Sequence, residues 1–172
     1  MKNKILYFFL PLLVILSMVS NSCKKDSQTQ LVESLLTHGQ WQLASVMVFN
    51  YLGSTQLPTD TLNTTCTIKQ VFQFTSDHKC TYSNFACRTQ NSSGNWSLTQ
   101  NDLFLQVNLN AVDTVAGTKG LDTVTTRPFI YCQLYNLGQY SLVIQTGDVS
   151  TYYTSTTRRR IVQYGFVHPS GH

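Results

Sequence analysis

The chain has 172 residues, 12% charged and 12% aromatic, with twelve Lys and Arg against eight Asp and Glu. So mild a positive balance, with Arg158-Arg159-Arg160 as the one basic cluster, gives no footing for a nucleic-acid partner. The length suits one ordinary domain, and the abundance of Thr, Ser, Gln and Asn beside Tyr and Phe favours strands and turns over helices.

Met1 to Lys4 is basic, and Ile5 to Val19 is a nearly unbroken apolar run, interrupted by Tyr7, Pro11 and Ser17. The run is too short to span a ~30 Å hydrocarbon core comfortably and lies at the extreme N-terminus behind two lysines. That is the outline of a secretory signal peptide. It ends in Val19-Ser20-Asn21-Ser22-Cys23-Lys24-Lys25-Asp26, where small residues precede a cysteine. This stretch resembles the loose lipobox of Bacteroidetes lipoproteins, departing from the commonest form in having Ser20 where Leu is usual. The resemblance implies cleavage after Ser22 and acylation of Cys23. Several acyl chains hold a protein on a membrane where a single one does so only marginally. Residues 1–22 are then the signal peptide, 23–30 the lipidated cysteine and a flexible tether, and 31–172 a folded domain of an exported outer-membrane lipoprotein. Lys24 after the cysteine offers no aspartate-type inner-membrane retention signal, and the residues do not choose between the periplasmic and the surface side.

Leu31, Val32, Leu35 and Leu36 have the spacing of a short helix, which Gly39 stops. The pattern then switches to period two. The first strand runs from Gln40 to Tyr51, with Trp41, Leu43, Met47 and Phe49 on one face and Gln42, Ala44, Val46 and Val48 on the other. Residues 52–65 read as loop. Strands follow at Cys66–Thr75, Cys80–Cys87, Asn95–Leu98 and Leu103–Leu109, separated by polar turns. A long polar loop, residues 110–126, leads to strands at Pro128–Leu137, Gln139–Thr146 and Arg159–Val167. The sixth carries apolar residues on both faces: Phe129, Tyr131 and Tyr135 oppose Ile130, Cys132 and Leu134. Eight short strands joined mainly by hairpins predict an all-β, eight-stranded antiparallel up-and-down barrel behind a short N-terminal helix. A sandwich would need crossovers that hairpin-length connections do not favour.

Cys66, Cys80, Cys87 and Cys132 remain after lipidation, and an even count in an exported chain predicts disulfides. A metal site would need close cysteine or histidine pairs, which the spacing lacks. With Asp77 and His78 at the centre of the turn, Cys66 falls two places from facing Cys87, within the slack of a bulge. A Cys66–Cys87 bridge is therefore the first choice, leaving Cys80 and Cys132 to pair across strands three and six.

Gly39-Gln40-Trp41, opening the first strand after a short helix, resembles the Gly-x-Trp signature of lipocalins. Gly94-Asn95-Trp96 and Asp102-Leu103-Phe104-Leu105 extend the likeness to the small lipocalin-like lipoproteins of Bacteroidetes. The resemblance implies that Trp41 plugs the closed end of the barrel and that Arg158, Arg159 or Arg160 stacks across it. It further implies an interior for a small, largely apolar ligand. The residues that would line it are Leu43, Met47, Phe72, Phe74, Tyr82, Leu98, Leu105, Val107, Leu142 and Ile144, all of them equally suited to plain core packing. Asp60-Thr61-Leu62, Asp113-Thr114-Val115 and Asp122-Thr123-Val124 resemble the Asp-Thr-aliphatic triplets that Bacteroidetes O-glycosylate, making Thr61, Thr114 and Thr123 candidate acceptors in loops.

No nucleophile elbow or metal motif frames any Ser, His or Asp, and strand interiors hold almost no ionisable groups. The sequence thus predicts neither enzyme nor cofactor. It predicts a membrane-tethered module binding a small apolar ligand. The competing expectation is a solid barrel that acts as a cell-envelope interaction or assembly accessory through its loops at 52–65 and 110–126.

Overall fold

The computed structural model describes residues 22–62, 65–99, 103–115 and 122–169. The expected signal peptide therefore lies almost wholly outside the described residues. Helix α1 (Ser22–Thr37) begins earlier than the apolar spacing implied and takes in the stretch expected as a flexible tether. No Gly or Pro interrupts these sixteen residues, so the polar N-terminal turns can continue the helix that Val32 and Leu36 anchor. Leu36 is fully buried and Val32 packs against the same core.

Strand β1 (Gln40–Leu52) is followed by two short segments that pair back onto it, β2 (Thr55–Gln56) and β3 (Asp60–Leu62). Then come β4 (Val71–Phe74), β5 (Lys79–Ser83), β6 (Asn91–Thr99) and β7 (Phe104–Leu109). A separate two-stranded ribbon, β8 (Ala111–Thr114) and β9 (Thr123–Thr126), interrupts the series. The chain resumes with β10 (Cys132–Leu137), β11 (Ser141–Gly147) and β12 (Arg158–Val167). Around the wall the order is β1, β4, β5, β6, β7, β10, β11, β12, and β12 pairs with β1 to close it, every pair antiparallel. This is the eight-stranded up-and-down barrel that the spacing of strands and turns predicts, and it is consistent with a lipocalin-like fold. The segments expected as loops at 52–65 and 110–126 nonetheless contain β2, β3 and the β8–β9 ribbon.

One irregularity decides which face of β1 looks inward. Leu43 faces Phe166 and Ser45 faces Gly165, which leaves Ala44 without a partner. Such a bulge shifts the pleat by one residue. Trp41 and Leu43 point into the barrel before it; Val46 and Val48, opposite Tyr164 and Val162, point in after it. Met47 and Phe49, expected on the inner face, are displaced to the outside.

The interior is packed with aromatic side chains. Phe129 lies just before β10 rather than on a strand face, and it is fully buried. Its ring centroid lies 5.1 Å from Phe72, 5.3 Å from Tyr82 and 5.0 Å from Tyr164, and its carbonyl accepts a 3.0 Å hydrogen bond from the Val107 N–H. Burying each such ring favours the fold by about 1.5–3 kcal/mol. Of the apolar residues expected on both faces of the sixth strand, Cys132 is buried whereas Ile130 and Tyr135 are exposed, because the strand begins only at Cys132 and bulges between Leu134 and Asn136. A smaller cluster of Val46, Val48 and Val162 lies further along the inner face of β1, linked to the main core through Leu43 and Tyr164.

Candidate functional site

The ten residues expected to line a cavity are reached first. Phe72, Phe74, Tyr82, Leu105, Val107, Leu142 and Ile144 are each at most 1% exposed and belong to a single packed cluster. Leu98 and Leu43 pack partly buried against it, and Met47 is outside. The structure thus brings nine of the ten together, against one another. The Tyr82 hydroxyl donates to Gln70 Oε1 at 3.3 Å, and burial pushes its pKa far up. Gln70, itself buried, had no distinguishing signal in the sequence.

The cysteines divide into two kinds. Cys66 and Cys87 form the expected disulfide. Cys80 and Cys132 do not pair: both are free thiols in the core. β6 and β7 stand between their strands, so about 14 Å of wall separates them, well beyond what a disulfide bridges. Burial raises the Cys80 thiol to about 11 and that of Cys132 higher still, which keeps both protonated and unreactive.

At the closed end, Trp41 is fully buried and its indole N–H donates to the Leu36 carbonyl at 2.9 Å, tying α1 to the barrel. The group stacked across it is His168, 3.8 Å between ring centroids and 26° between planes. Its Nδ1 lies 2.9 Å from the Gln40 carbonyl. The arginine expected here is at the other end. In the antiparallel β1–β12 pair Gln42 faces Val167 while Leu52 faces Arg158, so the last residues of β12 and not its first reach Trp41.

The open end carries the three arginines. Arg159 sits 3.7 Å above the Tyr153 ring and 5.0 Å from that of Tyr51, and its Nη2 donates to the Gly53 carbonyl at 3.2 Å. Its Nε–H is buried without an acceptor. Arg158 and Arg160 are exposed. The three border a groove of about 370 Å³ with Asn50, Tyr51, Leu57, Pro58 and Asp148. A second groove, about 190 Å³, opens in the wall beside Ala44. β1 pairs with β4 up to Gln42 and with β3 from Val46, and between them the Leu43 N–H donates to the Gln70 carbonyl at 2.9 Å.

The three candidate glycosylation threonines are exposed, but in strands: Thr61 on β3, Thr114 on β8 and Thr123 on β9. Thr114 and Thr123 face each other across the ribbon. Asp148, Gly53 and Gly147 also belong to the open end and were not distinguishable in the sequence from ordinary turn residues. Comparison with protein-family models and with curated proteins finds no match. Among the described residues no helix is long and apolar enough to cross a membrane.

Proposed function

We propose that the chain is an exported lipoprotein of the Bacteroidetes kind, tethered through Cys23, whose barrel binds at its open rim and loops rather than in its interior. The observation that carries this reading is Phe129. An aromatic ring from the connection before β10 occupies the middle of the barrel and touches Phe72, Tyr82, Phe85 and Tyr164. Met47 apart, the residues that would line an apolar cavity belong with it to one packed cluster. The open end carries a groove bordered by three arginines, of which Arg158 and Arg160 are exposed.

Native mass spectrometry of the full-length protein, released from its envelope in detergent, tests the reading. The expected mass is that of the acylated chain with one disulfide, any glycans on Thr61, Thr114 and Thr123 adding discrete increments, and with no uptake of added palmitate. A retained apolar compound, or saturable palmitate uptake lost in Phe129→Trp, would return the apolar interior to first place. Loss of the acyl mass in Cys23→Ala is the expected control for the tether.

A further inference from the structure

β12 begins with three arginines, and its pairing divides them between two sides. Arg160 faces Asn50 and Arg158 faces Leu52, in the inward row that continues through Val162 and Tyr164. Arg159 faces Tyr51 in the outward row. Strand geometry sets Arg158 and Arg160 about 7 Å apart on one side. At that separation two guanidinium forks can close on one tetrahedral oxyanion, each offering paired N–H donors.

The charge in the groove is unbalanced. Three arginines meet one carboxylate, Asp148, and its Oδ2 accepts the backbone N–H of Arg160 at 2.9 Å. Among the described residues the one ion pair is Lys79–Asp77, so neither the Arg158 nor the Arg160 guanidinium is in an ion pair. The frame around them is fixed. Arg159 is held between two tyrosine rings and bonded to Gly53. A Cβ on Gly53 would come within 2.7 Å of Ser155, and one on Gly147 within 2.4 Å of the Arg160 carbonyl, so Gly53 packs against the segment leading into β12 and Gly147 against β12 itself, as only glycine allows. A site held in place before binding loses little order when the ligand arrives.

We infer that this groove binds a dianionic phosphate group carried by a soluble ligand. Arg158 and Arg160 donate to its oxygens, Arg159 adds positive charge from the other side of the strand, and Leu57 and Pro58 offer apolar surface to the ligand body. The surplus of two positive charges matches a phosphate monoester. The source is soluble because the chain coming from Cys23 enters the barrel at Leu36 and Trp41, at the end of β1 opposite the groove. The assignment rests on the rim being the binding surface.

The experiment is calorimetric titration of phenyl phosphate, and separately of inorganic phosphate, into the full-length protein in phosphatidylcholine nanodiscs. Both are expected to bind saturably at one site, phenyl phosphate the more tightly, with affinity falling as salt rises. In Arg158→Gln/Arg160→Gln the affinity should drop at least tenfold with the thermal midpoint unchanged, and Arg158→Lys/Arg160→Lys should recover part of it. No saturable binding of either probe, or equal binding by the Gln variant, overturns the site. If nanodiscs containing phosphatidic acid compete phenyl phosphate away, the phosphate comes from a lipid headgroup and the soluble source is overturned. Palmitate uptake into the barrel would defeat the preceding proposal while leaving this titration unchanged, so the two failures are distinguishable.

Discussion

Removing the Cys66–Cys87 bridge with Cys66→Ser/Cys87→Ser should destabilise the barrel by an amount that the loop length sets. The cysteines are 21 residues apart in sequence. Closing a loop of that size withdraws about 3.4 kcal/mol of chain entropy from the unfolded state at 25 °C. Part of this is offset in the native state. Ala86 and Cys87 are both held in the left-handed region, at φ of 52° and 59°, which costs about 1–2 kcal/mol per non-glycine residue. Without the bridge the segment 84–88 relaxes only in part and recovers about 1 kcal/mol of this, so a net loss of about 2–3 kcal/mol is expected. For a domain of this size that corresponds to a fall in Tm of about 6–9 °C. Urea denaturation followed by tryptophan fluorescence, with a thiol count on the unfolded unreduced protein, measures both halves. The wild type should yield two thiols, Cys80 and Cys132. A loss under about 0.5 kcal/mol, or four titratable thiols before reduction, would refute the reasoning.

Three further outcomes follow from single contacts. Ala86→Gly should raise the unfolding free energy by about 0.5–1 kcal/mol and the urea midpoint with it, since glycine removes the left-handed penalty and only partly repays it in unfolded-state entropy; a lower midpoint would show that Ala86 packing outweighs its backbone strain. Trp41→Phe leaves the Leu36 carbonyl without its donor and thins the stack on His168, so a loss of about 2–3 kcal/mol is expected, read from Trp96 fluorescence in urea. A loss below about 1 kcal/mol would mean that α1 is not tied to the barrel through this bond. Burial, reinforced by Cys132 and Asp113 and eased by Arg160, pushes the Tyr164 hydroxyl from 10.0 to about 12. Its neutral form is favoured in the native state, so its contribution is complete below pH 10 and disappears as the pH rises to about 12. The urea midpoint of Tyr164→Phe should therefore fall less steeply than that of wild type above pH 10; parallel curves would exclude Tyr164 as a titrating group there.

Strand number, order and antiparallel closure were legible because they depend on period-two patterning and on turns, both local properties of the chain. What was not legible depends on the partner strand. The bulge at Ala44 has no residue of its own to announce it: Ala44 and Ser45 are ordinary strand residues, and the bulge follows from how β1 meets β12. One unpaired residue then exchanges Met47 for Val46 and Val48 on the inner face. The Trp41 partner failed for a similar reason. The arginine triplet is conspicuous in sequence and His168 is not, yet the register brings the end of β12 to the tryptophan. The Cys66–Cys87 pair could be read because it closes a local hairpin, whereas pairing Cys80 with Cys132 required a statement about strands three places apart in the wall.

The segment between β7 and β10 shows how one insertion fills the interior. Its composition, polar and rich in Thr and Val, reads as loop because no alternating apolar face points at a core. The threonines and valines still favour extended pairing, which β8 and β9 find in each other. The ribbon is clamped at its base. Ala111 is buried, Val112 exchanges backbone hydrogen bonds of 2.8 and 2.7 Å with the side-chain amide of Gln90, and Phe129 enters the barrel just beyond the ribbon. Withdrawing Phe129 to admit a ligand would expose the ring and break the Val107–Phe129 hydrogen bond. The burial alone is worth about 1.5–3 kcal/mol, which an apolar ligand would have to repay before gaining any affinity. A ligand meeting Arg158 and Arg160 faces no such cost, because those side chains are already exposed and their supports are already in place. On the proposed reading, the insertion that fills the barrel thus shifts the balance of binding to the rim.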